Sequence, residues 1–333
     1  MAVLISGGTG FVGLALAERI IAEGGDAILF GSRPPPDEML ECFPPDRIKV
    51  VLGDVRSRND MRAACRSSPI DAAVHLAAVT AGPLTERNEP ERVISVNVEG
   101  TATFLLVLAR EIRPRRVVVA SSAAVYGFAG PGADGRLAEE EARLAPAALY
   151  GISKLAAEQT ALRLGAIHGL DVVAVRLGAL YGPWEYRTGM RDLMSPQQQV
   201  LDCVDAGRDA VLPRPLSADW LYSRDAARGL MALVLAGRLG SRVFNLGGGD
   251  VFGLDQWCAG LAARRPGFAW RFATAGGESA NIVSTLPQDR APLDNGRLIR
   301  AMAFEPAYDL ETGLDDYLAW RERPRLIEAS PTA

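Results

Sequence analysis

Val3-Leu-Ile-Ser-Gly-Gly-Thr-Gly-Phe-Val-Gly13 is the stretch that decides the fold. A short apolar strand runs into a glycine turn, and an apolar-periodic helix follows from Phe11 until Gly24-Gly25 stops it. Gly8, Gly10 and Gly13 fit the general dinucleotide fingerprint, while Gly7, Gly10 and Gly13 fit the three-residue spacing of a related class. Missing side chains let the backbone approach a pyrophosphate, whose charge rests on the N-terminus of the next helix. A glycine turn that merely joins strand to helix carries the same letters. The strand before it and the helix after it are what favour the phosphate reading.

Outward from that turn, short apolar runs at 27–30, 48–52, 72–76, 117–120 and 172–177 alternate with helix-like stretches, two of them long, at 89–113 and 150–168. Runs with little polar alternation suit strands buried on both faces. The pattern predicts an α/β fold, a Rossmann-type doubly wound parallel sheet, with a smaller C-terminal substrate-binding α/β region. The expected division is a dinucleotide-binding unit over 1–177, rejoined by 221–248, and a substrate region over 178–220 and 249–325. The stretch from Trp184 to Pro215 reads as a polar, substrate-covering insertion, and 326–333 as a loose tail.

Composition narrows the function classes. The 333 residues are 48% hydrophobic and 23% charged with a formal net charge of -4, ordinary for a globular enzyme and without the basic footprint of a nucleic-acid binder. Cys42, Cys65, Cys203 and Cys258 stand far apart, and His75 and His168 are the only histidines. Free thiols and no metal site are expected. The N-terminus enters a strand at once, and the sequence shows no apolar run near the roughly 20 residues that span a bilayer. No membrane association and a cytoplasmic location are expected.

Three strand ends extend the cofactor reading. The acid that holds the ribose of NAD should follow the second strand. Gly31-Ser32-Arg33 stands there instead. A guanidinium pairs with the 2′-phosphate of NADP in fork geometry, so the reading favours NADP over NAD, although a solvated arginine before Pro34-Pro35-Pro36 has the same letters. Asp54, in Gly53-Asp54-Val55, can accept from an adenine amino group or cap the following helix. Leu76-Ala77-Ala78 leaves room for backbone beside a ribose or for a close helix contact. Gly7, Thr9, Gly10, Phe11, Val12, Gly13, Ser32, Arg33, Asp54, Val55, Leu76, Ala77 and Ala78 are therefore the expected cofactor residues.

Tyr150-Gly-Ile-Ser-Lys154 supplies the chemistry, because a phenol and an ammonium four residues apart share one helix face. A tyrosine with a pKa near 10 is a poor base at neutral pH. Lys154 and a cationic nicotinamide together are expected to lower it. Ser121-Ser122 closes a strand at the same sheet edge, where a hydroxyl can hold a substrate oxygen opposite the phenol.

These motifs, in order with Asn97-Val-Glu-Gly-Thr101, Ser121-Ser-Ala-Ala-Val-Tyr-Gly127 and Tyr181-Gly-Pro183, resemble the extended short-chain dehydrogenase/reductase family, the NAD-dependent epimerase/dehydratase group. Leu310 to Trp320 is weakly similar to the family's closing helix. The resemblance implies that Tyr150 is the acid/base and that Lys154 lowers its pKa and binds the nicotinamide ribose. It further implies that Ser122 positions the substrate, that Asn97 organises the site, and that a homodimer forms through a four-helix bundle of the two long helices.

Departures from the family pattern matter as much. The acidic pair of the sugar-nucleotide dehydratases is replaced by Ala123 and Ala124, which argues against dehydration. The asparagine that meets nucleotide phosphates in many epimerases is Ala179, which argues against a nucleotide sugar. Thr80, Ser122, Ala123, Trp184, Arg187 and Arg191 are the expected substrate residues, with Arg290 where related epimerases often place a phosphate-binding arginine. Arginines suit carboxylate or phosphate, although a surface loop with ordinary charges would look the same. The leading expectation is an NAD(P)-dependent oxidoreductase acting on a secondary alcohol or ketone of a sugar-derived, anionic small molecule. The alternatives are a nucleotide-sugar 4-epimerase with tightly bound NAD and a non-catalytic NADP-sensing scaffold.

Overall fold

The computed structural model describes residues 1–274, 279–284 and 286–323. Its strands are β1 (Ala2–Ser6), β2 (Asp26–Gly31), β3 (Ile48–Leu52), β4 (Ala72–His75), β5 (Val117–Ser122), β6 (Val172–Leu177), β7 (Leu180–Tyr181), β8 (Ala210–Leu212), β9 (Leu221–Tyr222), β10 (Val243–Leu246) and β11 (Trp270–Phe272). Seven of them form one parallel sheet in the order β10-β6-β5-β4-β1-β2-β3. The order reverses between β1 and β4, and at such a switch point a crevice opens beyond the strand carboxyl ends. The other four strands pair as the short ladders β7–β9 and β8–β11.

The helices are α1 (Phe11–Ala22), α2 (Asp37–Leu40), α3 (Arg58–Arg66), α4 (Pro83–Asn88), α5 (Pro90–Ile94), α6 (Gly100–Glu111), α7 (Leu149–His168), α8 (Pro196–Asp205), α9 (Ser223–Leu235), α10 (Leu254–Arg264), α11 (Gly296–Met302) and α12 (Leu310–Arg321). α1 and α9 cover one face of the sheet, while α3, α6 and α7 cover the other. The period-two geometry of β1 explains its unbroken apolar run: Val3 and Ile5 join Leu14 and Ile20 on one face, and Leu4 joins Phe104 and Leu108 on the other. Burying each such side chain contributes about 1.5–3 kcal/mol.

Three expectations change. The long helix from residue 89 begins at Pro90, ends at Glu111 and contains a π turn at Ser95–Glu99, whose extra residue turns Asn97 inward. The stretch Pro90–Glu111 has 22 residues and a most apolar window of mean hydropathy 1.4, long and apolar enough by length and composition alone to cross a bilayer. The sequence reading missed this because Glu91, Arg92 and Glu99 interrupt the run. In the fold α6 packs between α3 and α7 with Phe104, Leu105 and Leu108 buried. The third change lies in the stretch from Trp184 to Pro215, read as a polar insertion, which contains α8, capped by Ser195, and β8. The expected tail lies outside the described residues.

Candidate active site

A cleft of about 670 Å³ opens along the carboxyl ends of β1, β2, β4, β5 and β6. Its floor is the glycine turn. Gly7 has φ +69°, and a β-carbon there would come within 2.6 Å of the Ala77 amide nitrogen; at Gly13 one would lie 2.5 Å from the Gly7 carbonyl oxygen. Only glycine fits these two positions. Thr9, Gly10, Phe11 and Val12 continue the floor, and Leu76, Ala77 and Ala78 form the adjoining wall. The cradle runs without interruption from the glycine turn to Tyr150 and Lys154, so the residues present fit a dinucleotide.

At the outer end, Ser32, Arg33, Asp54 and Val55 line the same cleft. Arg33 is exposed, and its Nη1 would lie 3.2 Å from a β-carbon on Gly189 across the opening. The Asp54 carboxylate is engaged by Arg56, whose Nη2 donates at 2.5 Å and holds the carboxyl below its ordinary range. Asp54 does not cap the next helix; Ser57 does, accepting from the Asp60 amide.

At the inner end, α7 carries Tyr150 and Lys154 to the edge of β5 and β6. The Ser122 and Thr80 hydroxyls stand by the Tyr150 phenol and favour its ionised form. Ser122 Oγ also accepts from the Ala124 amide at 3.1 Å. Burial pushes Tyr150 above its ordinary pKa, opposed by those two hydroxyls and by the positive fields of Arg191 and Arg290. Lys154 is itself buried and pushed down to about 8, with Glu158 holding the proton on. The protein alone therefore presents Tyr150 as an acid beside a hydroxyl pair.

Asn97 works one layer behind. Its Oδ1 accepts from the Val79 amide at 2.7 Å, and its Nδ2 donates to the Val79 carbonyl at 3.1 Å and to Ser153 Oγ at 2.9 Å. It thus pins the segment that carries Thr80 to the helix that carries Tyr150. His75, the last residue of β4, is buried between Ser6 Oγ and Thr101 Oγ1 and is pushed down to about 3 by burial.

The segment from Glu185 to Asp192 crosses the cleft. Tyr186 Oη donates to the Thr9 carbonyl, Met190 O accepts from the Thr80 amide at 2.8 Å, and Asp192 Oδ2 accepts from the amides of Gly82 and Thr85. Arg191 lines the cleft and donates at 2.7 Å to buried Glu185, which Ser195 also holds through its amide and hydroxyl. Arg187 lines the cleft as well, but is largely exposed and paired with Asp202 at 3.0 Å. Glu185 and Asp192 have no motif around them and were not legible in the sequence.

Three expected substrate residues do not line the cleft. Trp184 is 1% exposed, stacked on Phe43 at 4.8 Å and set edge-on to Trp320, so the indole is core. Ala123 is buried with Val125, Tyr126 and Leu137. Arg290 reaches the phenol only through its field, while its Nε donates to the Gly127 carbonyl at 2.8 Å. Among the described residues no group of three or more His, Cys, Asp or Glu is placed to hold a metal ion.

Comparison with known proteins agrees with this geometry. Residues 3–247 match the model of the NAD dependent epimerase/dehydratase family. A dTDP-glucose 4,6-dehydratase of Streptomyces griseus is 28% identical over 97% of this chain and 94% of its own. A probable UDP-glucuronate 4-epimerase of Rhizobium meliloti is 24% identical over 97% of both. The solved structure of MoeE5 in complex with UDP-glucose and NAD superposes with a TM-score of 0.75 at 25% identity, over 96% of this chain and 98% of that one. A glycine cradle at the switch point, a Ser/Tyr/Lys set beyond it and a family match over most of the length lead to one conclusion: the chain belongs to the NAD dependent epimerase/dehydratase family, enzymes of the extended short-chain dehydrogenase/reductase type.

Proposed function

We propose that the protein is an NADP-preferring oxidoreductase that interconverts a secondary alcohol and a ketone on a compact, anionic, sugar-derived substrate. One observation carries the reading: among the described residues, the cleft wall runs from Gly7 to Arg191 and takes nothing from the C-terminal third of the chain. That wall suits a dinucleotide and a small substrate better than it suits a second nucleotide. The charge of Arg191, which lines the cleft, acts at the phenol itself, where an anionic group of the substrate would balance it. Relatives named for UDP-glucuronate support an acidic sugar. Arg33, where a ribose-binding acid would otherwise stand, supports NADP.

The bound nicotinamide dinucleotide supplies the hydride donor or acceptor. The glycine turn and Lys154 would hold it, and proton handling falls to the chain's own side chains. Ser122 orients the reacting oxygen. Tyr150, protonated because burial raises its pKa, hands its proton to a ketone oxygen; in the other direction the phenolate takes the alcohol proton, so oxidation gains from rising pH.

A second reading, 4-epimerisation with retained NAD, draws support from the segment Tyr186 to Asp192 over the cleft, which would slow cofactor exchange. Identifying the nucleotide released on denaturation separates the two. An exchangeable site with tighter affinity for NADP supports net oxidoreduction, and stoichiometric NAD overturns it. The same reading includes a homodimer through α5, α6 and α7, supported by Ile94 and Ile152 exposed at 41% and 47%. Light scattering tests it, and a monomer at micromolar concentration would refute it.

A further inference from the structure

The only two lysines among the 36 Lys and Arg residues are Lys49, on the surface, and Lys154, buried beside the reactive phenol. A chain that otherwise uses arginine throughout keeps its one buried amine where a group that can titrate matters. Behind Lys154 lies a closed set of buried polar groups that the mechanism above does not use. Tyr150, Lys154 and Glu158 follow one another at four-residue spacing along one face of α7. Glu158 is 0% exposed, and Arg176 of β6 grips it with two bonds, Nε to Oε2 at 3.0 Å and Nη2 to Oε1 at 2.7 Å. The third guanidinium nitrogen donates to Tyr126 Oη at 2.8 Å, and that hydroxyl donates to Asn245 Oδ1 at 2.8 Å.

We propose that Glu158, locked by Arg176, is a positioning residue that keeps Lys154 charged beside Tyr150. The physical reason is a balance. Burial favours the neutral amine, and one carboxylate a helical turn away favours the ammonium. Arg176 fixes Glu158 in direction through two bonds, so the carboxylate cannot rotate away. Among the described residues, Glu158 is the negative charge that acts on Lys154. His75 on β4 is neutral, held by Ser6 and Thr101; Asn97 on the π turn is uncharged; Tyr150 is protonated; and Arg191 and Arg290 face the phenol as cations.

The proposal rests on the reading of Tyr150 and Lys154 as the acid/base pair, yet its test needs no substrate. In protein grown with lysine labelled at the ε-carbon, two resonances report Lys49 and Lys154, and Lys49→Arg assigns them. The wild-type Lys154 signal should titrate near 8. In Glu158→Gln its midpoint should fall by about one pH unit or more, with Lys49 unmoved. A midpoint unchanged in Glu158→Gln overturns the proposal and leaves the role of Tyr150 standing, since that role is tested separately by Tyr150→Phe. Should Glu158→Gln not fold with Arg176 unpaired, the double variant Glu158→Gln/Arg176→Gln removes both charges. Its Lys154 midpoint must also fall below wild type, and an unchanged or higher midpoint refutes the idea.

Discussion

Replacing Tyr126 by phenylalanine removes one oxygen from the centre of the buried polar set and almost nothing else. Tyr126 is 0% exposed, packed with Ala123, Val125 and Leu137, and the phenylalanine ring would fill the same space. What is lost is the hydroxyl that accepts from Arg176 Nη1 and donates to Asn245 Oδ1, both at 2.8 Å. A hydrogen bond to a charged group is worth about 1.5–3 kcal/mol and a neutral one about 0.5–1.5 kcal/mol. Arg176 keeps its two bonds to Glu158, so no unpaired buried charge results. Together the losses predict a destabilisation of about 2–4 kcal/mol. Urea unfolding followed by tryptophan fluorescence, at unchanged m-value, measures it. A loss below about 1 kcal/mol would mean that water or a rearranged neighbour replaces the hydroxyl, and the closed network described here would be wrong.

Other consequences are equally direct. Trp184→Ala should cost about 3–5 kcal/mol and leave dinucleotide affinity intact; a change confined to ligand binding would contradict its place in the core. Arg33→Ala should weaken NADP about tenfold or more beyond any effect on NAD, and calorimetric affinities that fall equally for both would remove the 2′-phosphate argument. Burial holds His75 at about 3 against an ordinary 6.5, so between those pH values the unfolded chain binds a proton that the folded chain refuses. That contribution is whole above pH 6.5 and is lost as pH falls toward 3, with a slope of up to about 1.4 kcal/mol per pH unit. His75→Gln should remove that slope from the stability profile, and an identical pH dependence in both proteins would refute it.

The fold was legible because its signals are local. An apolar run, a glycine turn and a helix are read from neighbouring letters, and the parallel sheet follows from their repetition. Tyr150 and Lys154 were legible for the same reason, being one helical turn apart. What escaped depends on contacts between distant segments. Trp184 sits beside a glycine and a proline like a loop residue, yet Phe43 and Trp320, far away in sequence, make it core. The direction of the Tyr150 pKa in the protein alone could not be read from its helix, because burial raises it and the opposing influences come from Ser122, Arg191, Thr80 and Arg290 in distant segments. Glu185 and Asp192 order the cleft-spanning segment through bonds to Ser195, Gly82 and Thr85 that no spacing encodes.

The central claim is that Tyr150 moves the substrate proton while hydride passes to or from a nicotinamide dinucleotide. The most direct test offers a panel of small sugar acids with NADP and follows the absorbance of the reduced nicotinamide for wild type and Tyr150→Phe side by side. The account predicts turnover by wild type on at least one such acid, and a rate lower by about a hundredfold to ten-thousandfold in Tyr150→Phe with NADP affinity unchanged. Turnover that survives in Tyr150→Phe within a few fold would contradict it.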